Sequence, residues 1–243
     1  MSTISKEWKL FLKKIIEEGS WVEKDDGDNI KESLINYCFI ENPLNKYEPM
    51  NITSEFFLEL IKKGEFDIED YPLKGSALAD YVDSFNDENI IHLTERKKGD
   101  NQFIYNYPER IQAIKLSDRE GNVNFYNQYE IIKRRLIEHR ESNRGVATTY
   151  SAGLDESEQH IPCLQIIQAT IRNNELILHV YFRSNDCYGA FPSNMLFLSY
   201  IGIRLVEDLK NYYPTLKFKG ISYSSSSLHI YKGDIEQVEE LIK

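Results

Sequence analysis

Side chains that can do chemistry are concentrated in the last third of the chain. Cys163 follows Pro162, and the polar side chains after it are Arg183, Ser184, Asp186, Asn194, His229 and Tyr231. Such groups are costly to bury between apolar strands unless they are hydrogen-bonded, so a polar ligand is their simplest partner.

Cys163 is the candidate nucleophile of this group. A thiol attacks in its thiolate form, and a nearby guanidinium such as that of Arg183 favours that form. On its own, a single cysteine after a proline is more often an inert buried residue. His229 and Tyr231 are two residues apart and share one face of an extended segment, but ordinary core packing has the same spacing. The order of the motifs is therefore more informative than any one of them.

In that order, the motifs resemble those of the thymidylate synthase superfamily. The matching motifs are Pro162-Cys163, Arg183-Ser184 with Asp186, Pro192 with Asn194, and His229 with Tyr231. Upstream, Asn127-Gln128 and Ser142-Asn143-Arg144 also match, and the helix that ends at Gly19 and the Asn42-Pro43 pair look similar. The resemblance is concentrated in residues 127–231.

The resemblance implies a reaction in which Cys163 adds to C6 of a pyrimidine nucleoside monophosphate. C5 then becomes a carbon nucleophile that attacks the one-carbon unit of 5,10-methylenetetrahydrofolate. Arg183 and Ser184 would hold the 5′-phosphate through charge-assisted hydrogen bonds. The resemblance further implies a homodimer in which Arg144 enters the phosphate pocket of the partner subunit.

The resemblance also implies contacts for the rest of the substrate. Asn194 would read the O4/N3 edge of uracil, because a side-chain amide offers both a donor and an acceptor. Family members that act on cytosine nucleotides tend to carry aspartate there. Asp186 would order the base and the folate pterin, and His229 and Tyr231 would bind the ribose hydroxyl. Gln168 matches a glutamine that faces the pocket.

The N-terminal half offers candidates for proton transfer and for lining the site. The resemblance implies a glutamate near the start of an early helix that manages proton transfers at C4 and C5. Glu55 is the candidate, Glu59 is the alternative, and a solvated helix face is the ordinary explanation for both. Tyr105 and Tyr107 lie where the family has a tyrosine in the site, although core packing explains them equally well.

Several residues depart from the family pattern. Asn143 stands where the family usually has the first of two arginines, and residues 24–28 offer no clear counterpart of an early phosphate-binding arginine. Only 12 residues follow Tyr231, as in the compact members of the family. The resemblance implies methylation of dUMP, and we favour this activity. The alternatives are hydroxymethylation of dUMP, dCMP or CMP, and nucleotide binding without catalysis.

Composition sets limits on the class of protein. The 243 residues include 16 Tyr and 12 Phe, which excludes a disordered chain. A net charge of −10 argues against a nucleic-acid-binding surface. Three cysteines at long spacings form neither a disulfide framework nor a metal motif, and no apolar run approaches the ~20 residues of a membrane span. We expect a cytoplasmic protein with no bound metal.

The predicted helices and strands that position these residues indicate a single mixed α+β domain over residues 1–243. Hydrophobic spacing predicts helices at 7–19, 54–63, 75–85, 124–140 and 194–211, with a last helix from Asp234. Strands are predicted at 33–40, 145–150, 164–172, 175–183 and 217–224, with a hairpin turn at 172–175. The resemblance implies a thymidylate synthase-type mixed sheet with flanking helices, which packs back to back against a second copy.

Overall fold

The computed structural model describes residues 2–24, 27–41, 52–66, 68–86, 106–156 and 161–243. The helices are α1 (Ile4–Glu18), α2 (Ser54–Lys62), α3 (Gly75–Asp83), α4 (Tyr107–Gln112), α5 (Gln128–Glu138), α6 (Ala152–Asp155), α7 (Phe191–Leu209) and α8 (Ile235–Leu241). Short 3₁₀ turns cover Ser84–Asn86 and Lys232–Asp234. Within the described ranges, no helix is both long and apolar enough to span a membrane.

A six-stranded sheet forms the centre of the fold. Its strands are β1 (Ser20–Glu23), β2 (Asn29–Ile40), β5 (Val146–Thr148), β6 (Leu164–Arg172), β7 (Glu175–Asp186) and β8 (Lys217–Tyr231). They lie in the order β1-β2-β8-β7-β6-β5, while β3 (Ile114–Ser117) and β4 (Val123–Tyr126) form a separate hairpin. The pairing of β7 with β8 is parallel and the other pairings in the large sheet are antiparallel. The sheet is therefore mixed, as expected.

The buried helix α7 connects the two parallel strands. A parallel pair requires a crossover connection, and α7 provides it between β7 and β8. Gly202 allows the close approach, because a Cβ there would lie 2.3 Å from the Phe218 ring on β8. The crossover aligns the C-terminal ends of both strands, so that Asp186 pairs in register with His229. Residues distant in sequence meet at this edge of the sheet.

The other helices pack around α7 and complete the core. Helices α1, α2 and α3 contact α7, which in turn covers β7 and β8. The Thr3 side chain caps α1 by accepting from the Lys6 N–H, which starts the helix at Ile4 rather than at residue 7. Trp8 is fully buried on α1, and its indole N–H donates to the Cys187 carbonyl at 2.7 Å. That bond braces the turn that follows β7.

Most predicted elements are confirmed, and their ends differ. The hairpin at 172–175 is present, with Asn173 and Asn174 both at positive φ. The predicted helix over 124–140 is wrong at its start, because Val123–Tyr126 is strand β4 and the Asn127 side chain caps a helix that begins at Gln128. Strands β2, β7 and β8 extend beyond their predicted ranges. Asn42-Pro43 and Tyr105 lie outside the described residues.

Candidate active site

Cys163 and Arg183 lie side by side at one end of β6 and β7. The main-chain N–H of Arg183 donates to the Cys163 carbonyl at 2.9 Å. Its guanidinium Nη2 donates to the Cys163 Sγ at 3.7 Å. The same guanidinium donates to the carbonyls of Ile161 and Pro162 at 2.8 and 3.1 Å. Arg183 thus fixes the segment before β6 and places positive charge at the thiol.

The charges around Cys163 act in opposite directions on its thiol. Burial raises the pKa of the half-buried Cys163 thiol above its ordinary value. The positive charges of Arg183 and Lys24 oppose that rise, whereas the Asp186 carboxylate adds to it. Because only the thiolate is strongly nucleophilic, the two cations are the groups that favour the reactive form.

Ser184 and His229 form the next pair across β7 and β8. The Ser184 Oγ lies 3.2 Å from the His229 Nδ1. His229 is 3% exposed, and burial, together with the Lys24 and Arg183 charges, lowers its imidazole pKa to about 4. The ring is therefore neutral at pH 7.

The other side of the His229 ring is suited to a ligand. Within the described residues its buried Nε2 has no hydrogen-bond partner, and the Tyr231 ring packs edge-on with centroids 5.2 Å apart. Buried polar atoms in native proteins are almost always paired, so an orphaned ring nitrogen calls for an explanation. A sugar hydroxyl beside the Tyr231 phenol would satisfy it.

Lys24 joins this cluster, although the sequence did not predict it. The turn between β1 and β2 places the Lys24 Nζ 3.4 Å from the Tyr231 hydroxyl and 5.1 Å from the centre of that ring. The charge of Lys24 lowers the pKa of Cys163, Asp186 and His229. The sequence signal was a single basic residue in the acidic stretch Lys24-Asp25-Asp26-Gly27-Asp28.

Asp186 is the last residue of β7 and borders the turn that leads to α7. Its Oδ1 accepts from the main-chain N–H groups of Tyr188 and Gly189 at 3.1 and 3.0 Å. A side chain at Gly189 would collide with this carboxylate, since a Cβ would lie 2.4 Å from its Oδ2. Burial raises the Asp186 pKa to about 6. The carboxyl can therefore exchange protons close to neutral pH.

Asn194 and Tyr107 approach the cluster from two helices. Asn194 lies in the first turn of α7, where its Nδ2 donates to the Asn185 Oδ1 at 3.1 Å and its Oδ1 accepts from the Tyr81 hydroxyl at 2.7 Å. Tyr107 begins α4, and its hydroxyl accepts from the Leu164 N–H at 3.2 Å, next to Cys163. Tyr81 was not predicted as a site residue.

Glu55 is not part of this cluster. It is exposed in the first turn of α2, and the neighbouring Ser54 N–H donates to the Glu207 Oε2 at 3.0 Å. Glu207 lies 13 residues beyond Asn194 on α7, which is ~20 Å along the helix axis. The prediction that Glu55 transfers protons beside Cys163 is therefore not supported. Glu55 and Glu59 line one cleft together with Glu207.

Gln168 and Arg144 lie together on the outer side of the sheet. Gln168 is five residues along β6 from Cys163, or ~16 Å, and its Nε2 donates to the Asn143 carbonyl at 2.8 Å. The next residue, Arg144, has an exposed side chain, while its carbonyl accepts from the Arg135 guanidinium. Within one chain, Gln168 thus contacts the loop of Arg144 and does not line the Cys163 cluster.

The sequence matches a known protein family over almost its whole length. The profile of the family described as Thymidylate synthase matches residues 6–243. The chain belongs to the thymidylate synthase family. This protein is therefore an enzyme that transfers a one-carbon unit. The family uses methylenetetrahydrofolate as its co-substrate.

The relatives extend over nearly the whole chain. It is 26% identical to the "Putative thymidylate synthase" of Methanothermobacter thermautotrophicus over 246 residues, covering 100% of this chain and 97% of that protein. The protein of the same name from Methanocaldococcus jannaschii is 28% identical over 225 residues, with 90% and 84% covered. The "Thymidylate synthase" of Mycoplasma mobile is 26% identical over 234 residues, with 96% and 67% covered.

Proposed function

We propose that this protein methylates C5 of dUMP with 5,10-methylenetetrahydrofolate, through a covalent bond between Cys163 and C6 of the base. The observation that carries the proposal is the 3.7 Å contact between the Arg183 guanidinium and the Cys163 Sγ. The cluster ends in the His229 Nε2, which has no hydrogen-bond partner among the described residues. Mere nucleotide binding requires no nucleophile, so a cysteine held in this way favours catalysis over binding alone.

The proposed reaction begins with loss of the Cys163 thiol proton. The sulfur bonds to C6, and the electrons of the C5–C6 double bond move toward the C4 carbonyl oxygen. C5 then bonds to the methylene carbon of the folate, whose bond to N10 breaks, and C5 afterwards loses its proton. Elimination of tetrahydrofolate leaves an exocyclic methylene, which accepts a hydride from tetrahydrofolate. Release of Cys163 gives dTMP and dihydrofolate.

Asp186 is the group that we propose for proton exchange in place of Glu55. Its carboxyl has a pKa of about 6, and its negative charge raises the pKa of the Cys163 thiol. A group with a pKa near the working pH is effective in either direction of proton transfer. We also propose that Asp186 interacts with the pterin ring of the folate.

Four groups would hold the 5′-phosphate. Arg183 and Ser184 come from β7, Lys24 from the β1–β2 turn, and Arg144 from the partner subunit. Lys24 supplies a positive charge in the stretch that lacks the family's early phosphate-binding arginine. It also compensates for Asn143, which stands where the family usually has an arginine. Charge-assisted hydrogen bonds of this kind contribute about 1.5–3 kcal/mol each.

The remaining contacts select the base and the sugar. Within the described parts of the chain, one N–H and one lone pair of the Asn194 amide have no partner, and we propose that they bind the O4/N3 edge of uracil. The His229 Nε2 and the Tyr231 hydroxyl would bind the ribose hydroxyl. A hydroxymethylase would use the same contacts, because it differs only in adding water to the exocyclic methylene.

The outer face of the sheet supports a homodimer. Tyr37, Ser224, Tyr181 and Ile166 pair in register across β2, β8, β7 and β6, so they form one row on one face. Tyr37 is 67% exposed, Tyr181 36% and Ile166 41%. We propose that this face packs back to back against a second copy, which brings Arg144 to the partner's phosphate pocket.

A Cys163→Ala variant tests the proposed function. We expect it to lose turnover while its affinity for dUMP changes by less than about three-fold, because the thiol contributes chemistry and little binding. Cys38→Ala is the matched control, since Cys38 is a buried thiol on β2 and should keep activity. Full turnover by Cys163→Ala would overturn the covalent mechanism.

A further inference from the structure

A directional chain of hydrogen bonds runs through Asn194. The Tyr81 hydroxyl donates to the Asn194 Oδ1 at 2.7 Å, and the Asn194 Nδ2 donates to the Asn185 Oδ1 at 3.1 Å. The Asn185 Nδ2 in turn donates to the Tyr223 hydroxyl oxygen at 3.2 Å. Asn185 is 2% exposed, Asn194 5% and Tyr223 0%. Each bond in this chain points in the same direction.

This chain of hydrogen bonds uses only part of the hydrogen-bonding capacity of the Asn194 amide. A side-chain amide has two N–H donors and two acceptor lone pairs. Tyr81 uses one lone pair and Asn185 uses one N–H, so one of each is left without a partner in the described part of the protein. A ligand therefore meets one donor and one acceptor whose positions are fixed by the two neighbours.

Asn185 prevents the Asn194 amide from turning over. A 180° rotation of Asn194 alone would bring two carbonyl oxygens face to face at the present 3.1 Å separation. Relief would require Asn185 to rotate as well, and the Tyr223 hydroxyl to change from acceptor to donor. Because these groups are buried, water cannot easily replace the lost hydrogen bonds. The Tyr81 hydroxyl reinforces the orientation, although a hydroxyl can act in either role.

We propose that Asn185 and Tyr81 are positioning residues that set the preference for uracil over cytosine by holding the Asn194 amide in one orientation. Uracil presents an acceptor at O4 and a donor at N3, whereas cytosine presents a donor at N4 and an acceptor at N3. The two bases therefore require opposite orientations of the same amide. This inference rests on the proposed function, in which Asn194 reads the base.

Calorimetric dissociation constants for dUMP and dCMP test the proposal in the wild-type protein, Asn185→Ala and Tyr81→Phe. We expect the preference for dUMP to fall about ten-fold in Asn185→Ala and about three-fold in Tyr81→Phe, as the orienting hydrogen bonds are removed. Tyr213→Phe is the matched control, because it removes a hydroxyl that donates to the Leu136 carbonyl instead. The control should keep the wild-type ratio.

The ratio of the dUMP and dCMP dissociation constants distinguishes a change in the orientation of the Asn194 amide from a general loss of nucleotide binding. If dUMP and dCMP binding weaken equally, or the ratio stays unchanged, the positioning role is overturned while the proposed function stands. If wild-type protein binds neither nucleotide, the proposed function fails as well. If Asn185→Ala does not fold, Tyr81→Phe decides alone, because it keeps the aromatic ring.

Discussion

The guanidinium of Arg183 donates to the Cys163 Sγ across two neighbouring strands, at 3.7 Å. The same side chain also bonds to the carbonyls of Ile161 and Pro162, so its position does not depend on the thiol alone. A positive charge fixed in this way offsets part of the rise in thiol pKa that burial causes. The contact therefore links the strand geometry to the reactivity of Cys163.

Replacement of Arg183 should make Cys163 less reactive. In Arg183→Met the thiol loses the cation that lowers its pKa, so the midpoint of alkylation against pH should move to higher pH. At pH 7 the iodoacetamide rate should fall several-fold, as measured by intact mass. Arg172→Met, at the other end of β6, should behave as wild type. An unchanged midpoint in Arg183→Met would contradict the electrostatic role.

Lys24 should contribute to phosphate binding in particular. We expect Lys24→Met to weaken dUMP binding about ten-fold or more and to leave deoxyuridine binding nearly unchanged, because only dUMP carries the phosphate. Calorimetry with both ligands measures the difference. Lys13→Met removes a surface cation paired with Glu17 and serves as the control. An equal loss of affinity for dUMP and deoxyuridine would show that Lys24 does not contact the phosphate.

The fold could be predicted in outline because hydrophobic spacing marks buried helices and strands. β8 was predicted to end at residue 224, because the polar run Ser222–Ser227 lacks an apolar pattern. In the structure that run is central to the sheet, paired with β2 on one side and β7 on the other. The strand is stabilised by its pairing with β2 and β7, which the local sequence pattern does not reveal.

The site could be predicted best where motifs lie on paired strands. Lys24 was missed because its place depends on β2 pairing with β8, which sets Ile30 opposite Tyr231. Glu55 was predicted from the family resemblance, because it lies near the start of an early helix. A helical pattern shows which face of α2 is exposed, but not that this helix packs near Glu207 at the far end of α7.

Asp186 and His229 should give opposite contributions to stability below neutral pH. The folded-state pKa of Asp186 is raised to about 6, so the folded protein binds more protons and gains stability as pH falls from about 6 to 4. The folded-state pKa of His229 is lowered to about 4, so the folded protein loses stability as pH falls from about 6.5 to 4. Each contribution is up to about 3 kcal/mol.

Single variants should reveal the two opposing contributions. Relative to wild type, Asp186→Asn should become less stable as pH falls from 6.5 to 4, and His229→Gln should become more stable, by up to about 3 kcal/mol. Urea unfolding at several pH values measures the free energy of unfolding. Differences from wild type that do not change with pH would show that these two groups keep ordinary pKa values in the folded protein.

Subunit complementation tests whether Arg144 acts across a dimer interface. At a dUMP concentration well below saturation, Arg144→Met should lose most of its activity and Cys163→Ala should be inactive, since each site would lack either the phosphate arginine or the nucleophile. Co-expressed subunits should regain about a quarter of wild-type activity, because half of randomly formed dimers are mixed and each has one intact site. Activity no greater than the sum of the separate variants would contradict a shared site.

Product analysis tests C5 methylation of dUMP most directly. The wild-type protein is incubated with 5,10-methylenetetrahydrofolate and, separately, dUMP, dCMP, UMP or CMP, and the nucleotides are examined by mass spectrometry. We expect dUMP alone to gain one methyl group while the folate becomes dihydrofolate. A hydroxymethyl group on any nucleotide, or no product from dUMP, would contradict C5 methylation of dUMP.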